Sequence, residues 1–175
     1  LDGRLVVVFS ADSSAEPRFQ VGYGVSTQPA FAIDVTDWKP GDTRVIALAS
    51  MKPGDTRVID ASAFGFPLAS LGALPRGTYR VQALLNRYET FRRGDGVTVS
   101  LPPDQGEGQK WNAKPGNLYS VPRSIAVDPA RGGELRLTVD QVIPAIPAFQ
   151  ETKYVKHVRI RSERLSRFWG RDMYL

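Results

Sequence analysis

The sequence predicts an all-β domain, an immunoglobulin-like antiparallel sandwich with long loops and an extended basic C-terminal segment. Three observations carry this. Short segments rich in Val, Ile, Thr and aromatic residues alternate at period two. Sixteen Gly and thirteen Pro cut the 175 residues into pieces of strand length. Third, Gly77-Thr78-Tyr79-Arg80-Val81 has the form with which a sandwich turns a corner into a late strand.

Taken in order, Arg4–Ser10 is apolar and β-branched and stops at the turn cluster Ala11–Ser14, so it predicts a central strand. Arg18–Tyr23 alternates and predicts a short strand; Ala30–Val35 predicts a half-exposed one. Lys39–Ile46 then recurs as Lys52–Ile59, thirteen residues later. Each copy is a Pro-Gly-Asp turn followed by Thr-Arg-Val-Ile, and two copies are too few for a solenoid. The repeat is either a tandem duplication that lengthens a hairpin or loop, or an error in the sequence.

Leu74–Leu85 places Tyr79, Val81, Ala83 and Leu85 on one face, with Tyr79 set to bond back to nearby backbone. Val97–Leu101 is another strand. Asp104–Pro122 is long and irregular, a length that points to a functional or partner-ordered loop. Ser124–Asp128 and Glu134–Val139 flank a turn at Pro129–Gly133. These elements define a domain over 1–141, a Pro-rich linker over 142–153, and an extended segment over 154–175. Within that segment, Val155–Arg161 alternates as a strand, and Arg164–Trp169 predicts a short helix with Leu165, Phe168 and Trp169 on one side.

Charge is uneven. The net charge is +5, yet residues 151–175 hold seven Lys/Arg against three acids, so the rest is close to neutral. Such a tail is a solvated strand and loop or a surface for an acidic partner. No apolar run approaches the ~18–20 residues that span a bilayer, so no transmembrane segment is expected. The sequence opens on Leu1 and not on Met, which leaves room for a lost signal peptide or lipid anchor.

For catalysis the pattern is poor. No Gly-x-Ser-x-Gly elbow is present to expose a strained nucleophile. His157 is the single histidine, lies between Lys156 and Arg159, and reads as a strand residue. With no Cys and one His, a His/Cys metal site is excluded. Oxygen ligands at Asp34 and Asp37, or at Asp104 and Glu107, do not match a Ca²⁺ loop and read as turn formers. Neither a phosphate loop nor a dinucleotide motif occurs, and no cofactor is expected. Trp111, Asn112, Asn117 and Tyr119 offer either a sugar- or peptide-binding face or a loop that tucks back on the sheet. Arg159, Arg161, Arg164, Arg167, Phe168 and Trp169 complete the candidate interaction surface. Basic residues interleaved with aromatics across a sheet face are missing, so nucleic acid is not an expected partner.

Several longer segments carry a resemblance. They are Leu1-Asp2-Gly3-Arg4, Glu16-Pro17-Arg18-Phe19-Gln20, Asp60–Pro67, Gly77–Ala83, Arg87–Phe91, Gly106–Asn112, Pro115–Ser120 and Thr152–Ile160. Together, over nearly the whole chain, they resemble the N-terminal region of exported bacterial esterases in which a β-sandwich region precedes an α/β-hydrolase domain of the esterase-D type. The resemblance implies a periplasmic or extracellular location. It also implies that the nucleophile, acid and histidine would lie beyond Leu175, so no catalytic residue carries over. Two departures stand out: the family's Lys-Pro-Gly turn is doubled here, and the sequence stops where the hydrolase strands would begin. The expected function is a non-catalytic accessory or interaction domain. The alternatives are an extracytoplasmic structural subunit of a larger complex, membrane-bound ones included, and an esterase fragment.

Overall fold

The computed structural model describes residues 1–24, 26–38, 43–47, 58–59, 63–131 and 134–175. It is mostly antiparallel β-sheet with one short helix, so the all-β expectation holds. The longest strands are β1 (Gly3–Ser10), β2 (Ala30–Val35) and, later in the chain, the strand at Gly77–Arg87. Between the last two come β3 (Thr43–Ala47), β4 (Val58–Ile59) and β5 (Phe64–Phe66), which makes Gly77–Arg87 β6. After it follow β7 (Glu89–Arg92), β8 (Thr98–Leu101), β9 (Leu118–Tyr119), β10 (Arg123–Val127), β11 (Glu134–Thr138), β12 (Gln141–Val142) and helix α1 (Glu163–Trp169).

β1 is central, as its two-sided apolar character predicts. It pairs antiparallel with β2 on one edge and along its whole length with β6 on the other. The far edge of β6 is shared. β10 covers Gly77–Val81 and β9 covers Leu84–Leu85. The pairing register slips by one residue between Tyr119↔Leu84 and Arg123↔Val81, so Ser120–Pro122 form a bulge. Pro122 has no N–H for the ladder, and the Ser120 hydroxyl steps in by accepting from Ala83 N–H at 2.9 Å.

A second sheet has the order β11-β3-β4. Its strand β11 turns Leu135 and Leu137 into the same apolar cluster as Leu5, Val7, Phe9, Phe31, Val81 and Leu85. Trp38, fully buried, joins that cluster. The corner residue behaves as its sequence requires. Tyr79 Oη donates to Pro75 O at 2.8 Å and its ring meets Phe9 edge-on.

The two Thr-Arg-Val-Ile copies do not form a hairpin. β3 and β4 run parallel, Val45 opposite Val58 and Ile46 opposite Ile59, so each residue pairs with its own repeat. Both Pro-Gly-Asp turns lie outside the described residues, as does Asp60–Ser62 of the resemblance.

Two strand expectations fail. Arg18–Tyr23 is not a strand: Pro17–Phe19 is a single 3₁₀ turn and Tyr23 is fully exposed. Pro17 presets the turn, and the Arg18 N–H goes to the Gln82 side chain (3.1 Å) and not to a ladder. Val155–Arg161 is not a strand either. Apart from one bridge, Arg161↔Tyr174, no strand among the described residues lies beside it. The linker expectation at 142–153 also shifts: Val142 belongs to β12, and Ile143 is buried with its N–H on Asn117 O. The helix is where the sequence puts it.

Candidate interaction surface

One face of β6 closes the apolar core; the other is polar and equally buried. Gln82 and Asn86 point there, 1% and 8% exposed. Each anchors a loop. Gln82 Nε2 donates to Ser120 O (3.0 Å) and Glu16 Oε2 (2.9 Å), and its Oε1 accepts from Arg18 N–H. Asn86 Oδ1 accepts from Asn117 Nδ2 at 3.2 Å.

The loop residues singled out from sequence are built into this network. Asn117 is fully buried; its Nδ2 also donates to Trp111 O (2.8 Å) and its Oδ1 accepts from Arg87 N–H (2.9 Å). Asn112 Nδ2 donates to Arg18 O, and Arg18 Nη1 donates to Asn112 O, both at 3.0 Å. The Arg18 guanidinium sits 4.3 Å from the Tyr119 ring centre and 4.3 Å from that of Phe19, and pairs with Glu16 at 2.9 Å. Tyr119 is thus half-buried under an arginine, and Trp111 is half-buried beside it in the loop. Asn112, Asn117 and Tyr119 spend their polar and ring contacts inside the chain, which is the tucked-back alternative.

Sequence reasoning missed the partners in this network: Glu16, Arg18, Gln82, Asn86 and Lys114. Lys114 is 2% exposed and its Nζ donates to Arg87 O. Burial pushes its ammonium below the ordinary lysine range, although Glu107 and Glu89 pull the other way. Desolvation raises the Glu16 carboxyl, but the hydrogen bonds from Gln82 and Arg18 outweigh it and hold the group below the usual range. A signal was present: Gln82 and Asn86 fall on one face of an otherwise apolar strand.

The C-terminal residues gather elsewhere, against the β7–β8 hairpin. Ser162 caps α1 by accepting from Leu165 N–H, and Gly170 ends it at φ +66. Gly94 N–H donates to Phe168 O (2.6 Å), and a Cβ on Gly170 would stand 2.5 Å from Arg92 O. Trp169 packs edge-on against Phe91, Phe168 lies under the Arg93 guanidinium at 4.7 Å, and Arg171 pairs with Glu89 at 2.8 Å. A cleft of about 880 Å³ opens between this hairpin, the Pro102–Gly106 loop and the tail, with Phe91, Trp169, Tyr174 and Arg159 on its walls.

Of the candidate arginines, Arg159 lies 3.6 Å over the Tyr174 ring centre and Arg161 pairs with Asp172 at 2.8 Å. Arg164 and Arg167 are exposed. His157 is exposed; its main-chain N–H donates to Glu151 and its ring lies 5.9 Å from that of Phe149. Ahead of α1 runs an apolar and basic stretch open to solvent: Ile146, Phe149, Tyr154, Val155, Val158 and Ile160 are 48–85% exposed. Asp34 is engaged by Arg4 through two hydrogen bonds, and Asp104 accepts from Gly106 N–H. No group of three or more potential metal ligands occurs among the described residues, and no helix there is long and apolar enough to cross a membrane. Compared with known proteins, the chain matches no family model, no curated protein and no solved structure.

Proposed function

We propose that this chain is a non-catalytic interaction domain that docks through its exposed C-terminal stretch, as an accessory domain or structural subunit of an exported protein assembly. The carrying observation is the contrast between two surfaces. The aromatic loop spends its side chains on the chain itself. Residues 146–160, by contrast, expose six large apolar side chains beside Lys153, Lys156 and Arg159. Apolar residues left open in a row mark an interaction site. Cations around them favour an acidic partner and speed encounter.

The immunoglobulin-like sandwich belongs to the same proposal. Its supports are two sheets that feed one apolar cluster and the Tyr79–Pro75 corner bond. The resemblance to the front region of exported esterases adds the periplasmic or extracellular setting. It also accounts for a domain without a nucleophile elbow, since chemistry would belong to a downstream hydrolase domain.

The test is the state of the protein in its native source. Wild type should run as part of an assembly well above one 19.3 kDa chain. The double charge reversal Lys156→Glu/Arg159→Glu should release it without changing its melting temperature. An assembly unaffected by the reversal refutes docking through this stretch. Ester turnover by the purified chain that vanishes in His157→Ala refutes the non-catalytic assignment.

A further inference from the structure

We propose that residues 154–160 dock as a β-strand, adding their open edge to the acidic edge strand of a separate protein. This rests on the docking reading above and names its partner chemistry.

The argument starts from a disagreement between sequence and structure. Val155–Arg161 has the alternation of a strand, yet it has no neighbouring strand beyond the bridge at its end. Residues 155–160 run without a turn or bend. In an extended chain, successive residues present their N–H and C=O groups to opposite edges. The odd-numbered edge is engaged from within. Val155 N–H donates to Thr152 Oγ1 (3.1 Å), Val155 O accepts from Thr152 N–H (3.0 Å), and His157 N–H donates to Glu151 (3.2 Å).

The even-numbered edge differs. At Ile160 it pairs with Leu175 in both directions, N–H to O at 3.1 Å and O to N–H at 2.8 Å. A ladder therefore begins there. Further along the same edge, the main-chain groups of Lys156 and Val158 make no hydrogen bond among the described residues. An incoming strand would continue the Ile160–Leu175 ladder across Val158 and Lys156. Main-chain bonds would supply affinity, and the side chains that alternate out of the sheet would supply selectivity. Tyr154 and Val158, 85% and 67% exposed, share the even face and would pack on the partner's sheet.

Charge decides what the partner is. Between 151 and 161 stand Lys153, Lys156, Arg159 and Arg161 against the single acid Glu151. Across paired strands, opposite charges stabilise and like charges repel. A second copy would bring the same cationic strand on a molecule of net charge +5. An acidic edge strand is complementary.

Proline separates strand pairing from simple surface contact, because it cannot donate to a ladder. Val158→Pro deletes an open-edge donor; Arg159→Pro alters the opposite edge. Full-length protein carrying each variant is recovered from its native source, with Val158→Ala and Arg159→Ala as the side-chain controls. p-Benzoylphenylalanine in place of Tyr154 marks the contacted peptide. Val158→Pro should cut partner recovery at least about ten-fold below Val158→Ala, the loss expected when a ladder bond is removed and its acceptor stranded. Arg159→Pro should match Arg159→Ala. The crosslinked peptide should be an acid-containing edge strand of another protein, and amide exchange at Lys156 and Val158 should slow in the complex. Equal loss from both prolines refutes strand pairing while leaving docking standing. Unchanged recovery after deletion of 153–160 refutes both. Crosslinks to a second copy, to anionic lipid, or to residues that follow Leu175 in the native protein each overturn the assignment of the partner.

Discussion

Asn117→Ala is the sharpest probe of whether the 104–117 loop is scaffold or recognition surface. The side chain is fully buried and makes three hydrogen bonds. Alanine removes all of them and strands three groups: Arg87 N–H, Trp111 O and the Asn86 amide oxygen. Leaving a buried polar group unpaired costs about 1–3 kcal/mol, with the low end for groups that water can reach. Arg87 N–H and Trp111 O are half-buried in these bonds, so about 1 kcal/mol each is appropriate. Asn86, 8% exposed, adds about 1–2 kcal/mol. The sum is about 3–4 kcal/mol. For a domain of this size each kcal/mol moves the melting temperature by about 2–4 °C, so a fall of roughly 6–15 °C is expected. The assay is thermal unfolding followed by circular dichroism, checked by urea titration at 25 °C. Asn117→Asp should be at least as harmful at neutral pH, because it keeps the acceptor for Arg87 N–H but turns a carboxylate toward two oxygens. A fall under about 2 °C for Asn117→Ala would refute the buried network. Partner recovery from Asn117→Ala, below its melting temperature, should match wild type.

Two more predictions test the frame. Tyr79→Phe removes the bond to Pro75 O and should lower stability by about 1 kcal/mol in urea titration, with no change in the strand content seen by circular dichroism. Lys114 supplies a pH dependence. Its folded-state pKa is depressed by burial, so above that depressed value and up to the ordinary 10.5 the unfolded chain binds more protons than the folded one. Stability therefore gains with rising pH in that window, and below it the burial penalty is constant. The stability of wild type minus that of Lys114→Met should thus increase between neutral pH and pH ~10 in paired urea titrations; a difference that stays flat contradicts a strained buried ammonium.

What could be read from sequence was local. The corner at Gly77-Thr78-Tyr79 is legible because the Tyr79 hydroxyl reaches only four residues back, to Pro75. The helix is legible because Ser162, Gly170 and the apolar spacing between them lie within one short segment. The polar face of β6 was not legible, because Gln82 finds Glu16 and Ser120, and Asn86 finds Asn117, at separations of 31–66 residues. Nothing in a strand's own pattern says which distant loop its amides will hold. Arg18–Tyr23 misled for a related reason: its alternation is real, but Pro17 and the Gln82 carbonyl decide the local backbone.

The same reasoning gives the exposed tail its meaning. Alternating apolar and polar residues specify a strand only when an edge lies beside them, since unpaired extended backbone gains nothing over hydrated coil. At Arg18–Tyr23 the alternation was defeated by a competing partner inside the fold. At Val155–Arg161 the first residues bond to Thr152 and Glu151, and at the other end Ile160 has begun a ladder with Leu175. Two of its neighbours on that edge, Lys156 and Val158, keep bare main-chain groups, and large apolar side chains stand in solvent around them. A stretch merely meant for solvent would have no use for Val155, Val158 and Ile160, which raise β propensity and the risk of edge-to-edge association. The lysines and arginines interleaved with them blunt that risk for like-charged copies while leaving the edge available to an acidic one. Strand pattern, open edge and positive charge are thus one feature, a strand whose sheet belongs to another molecule.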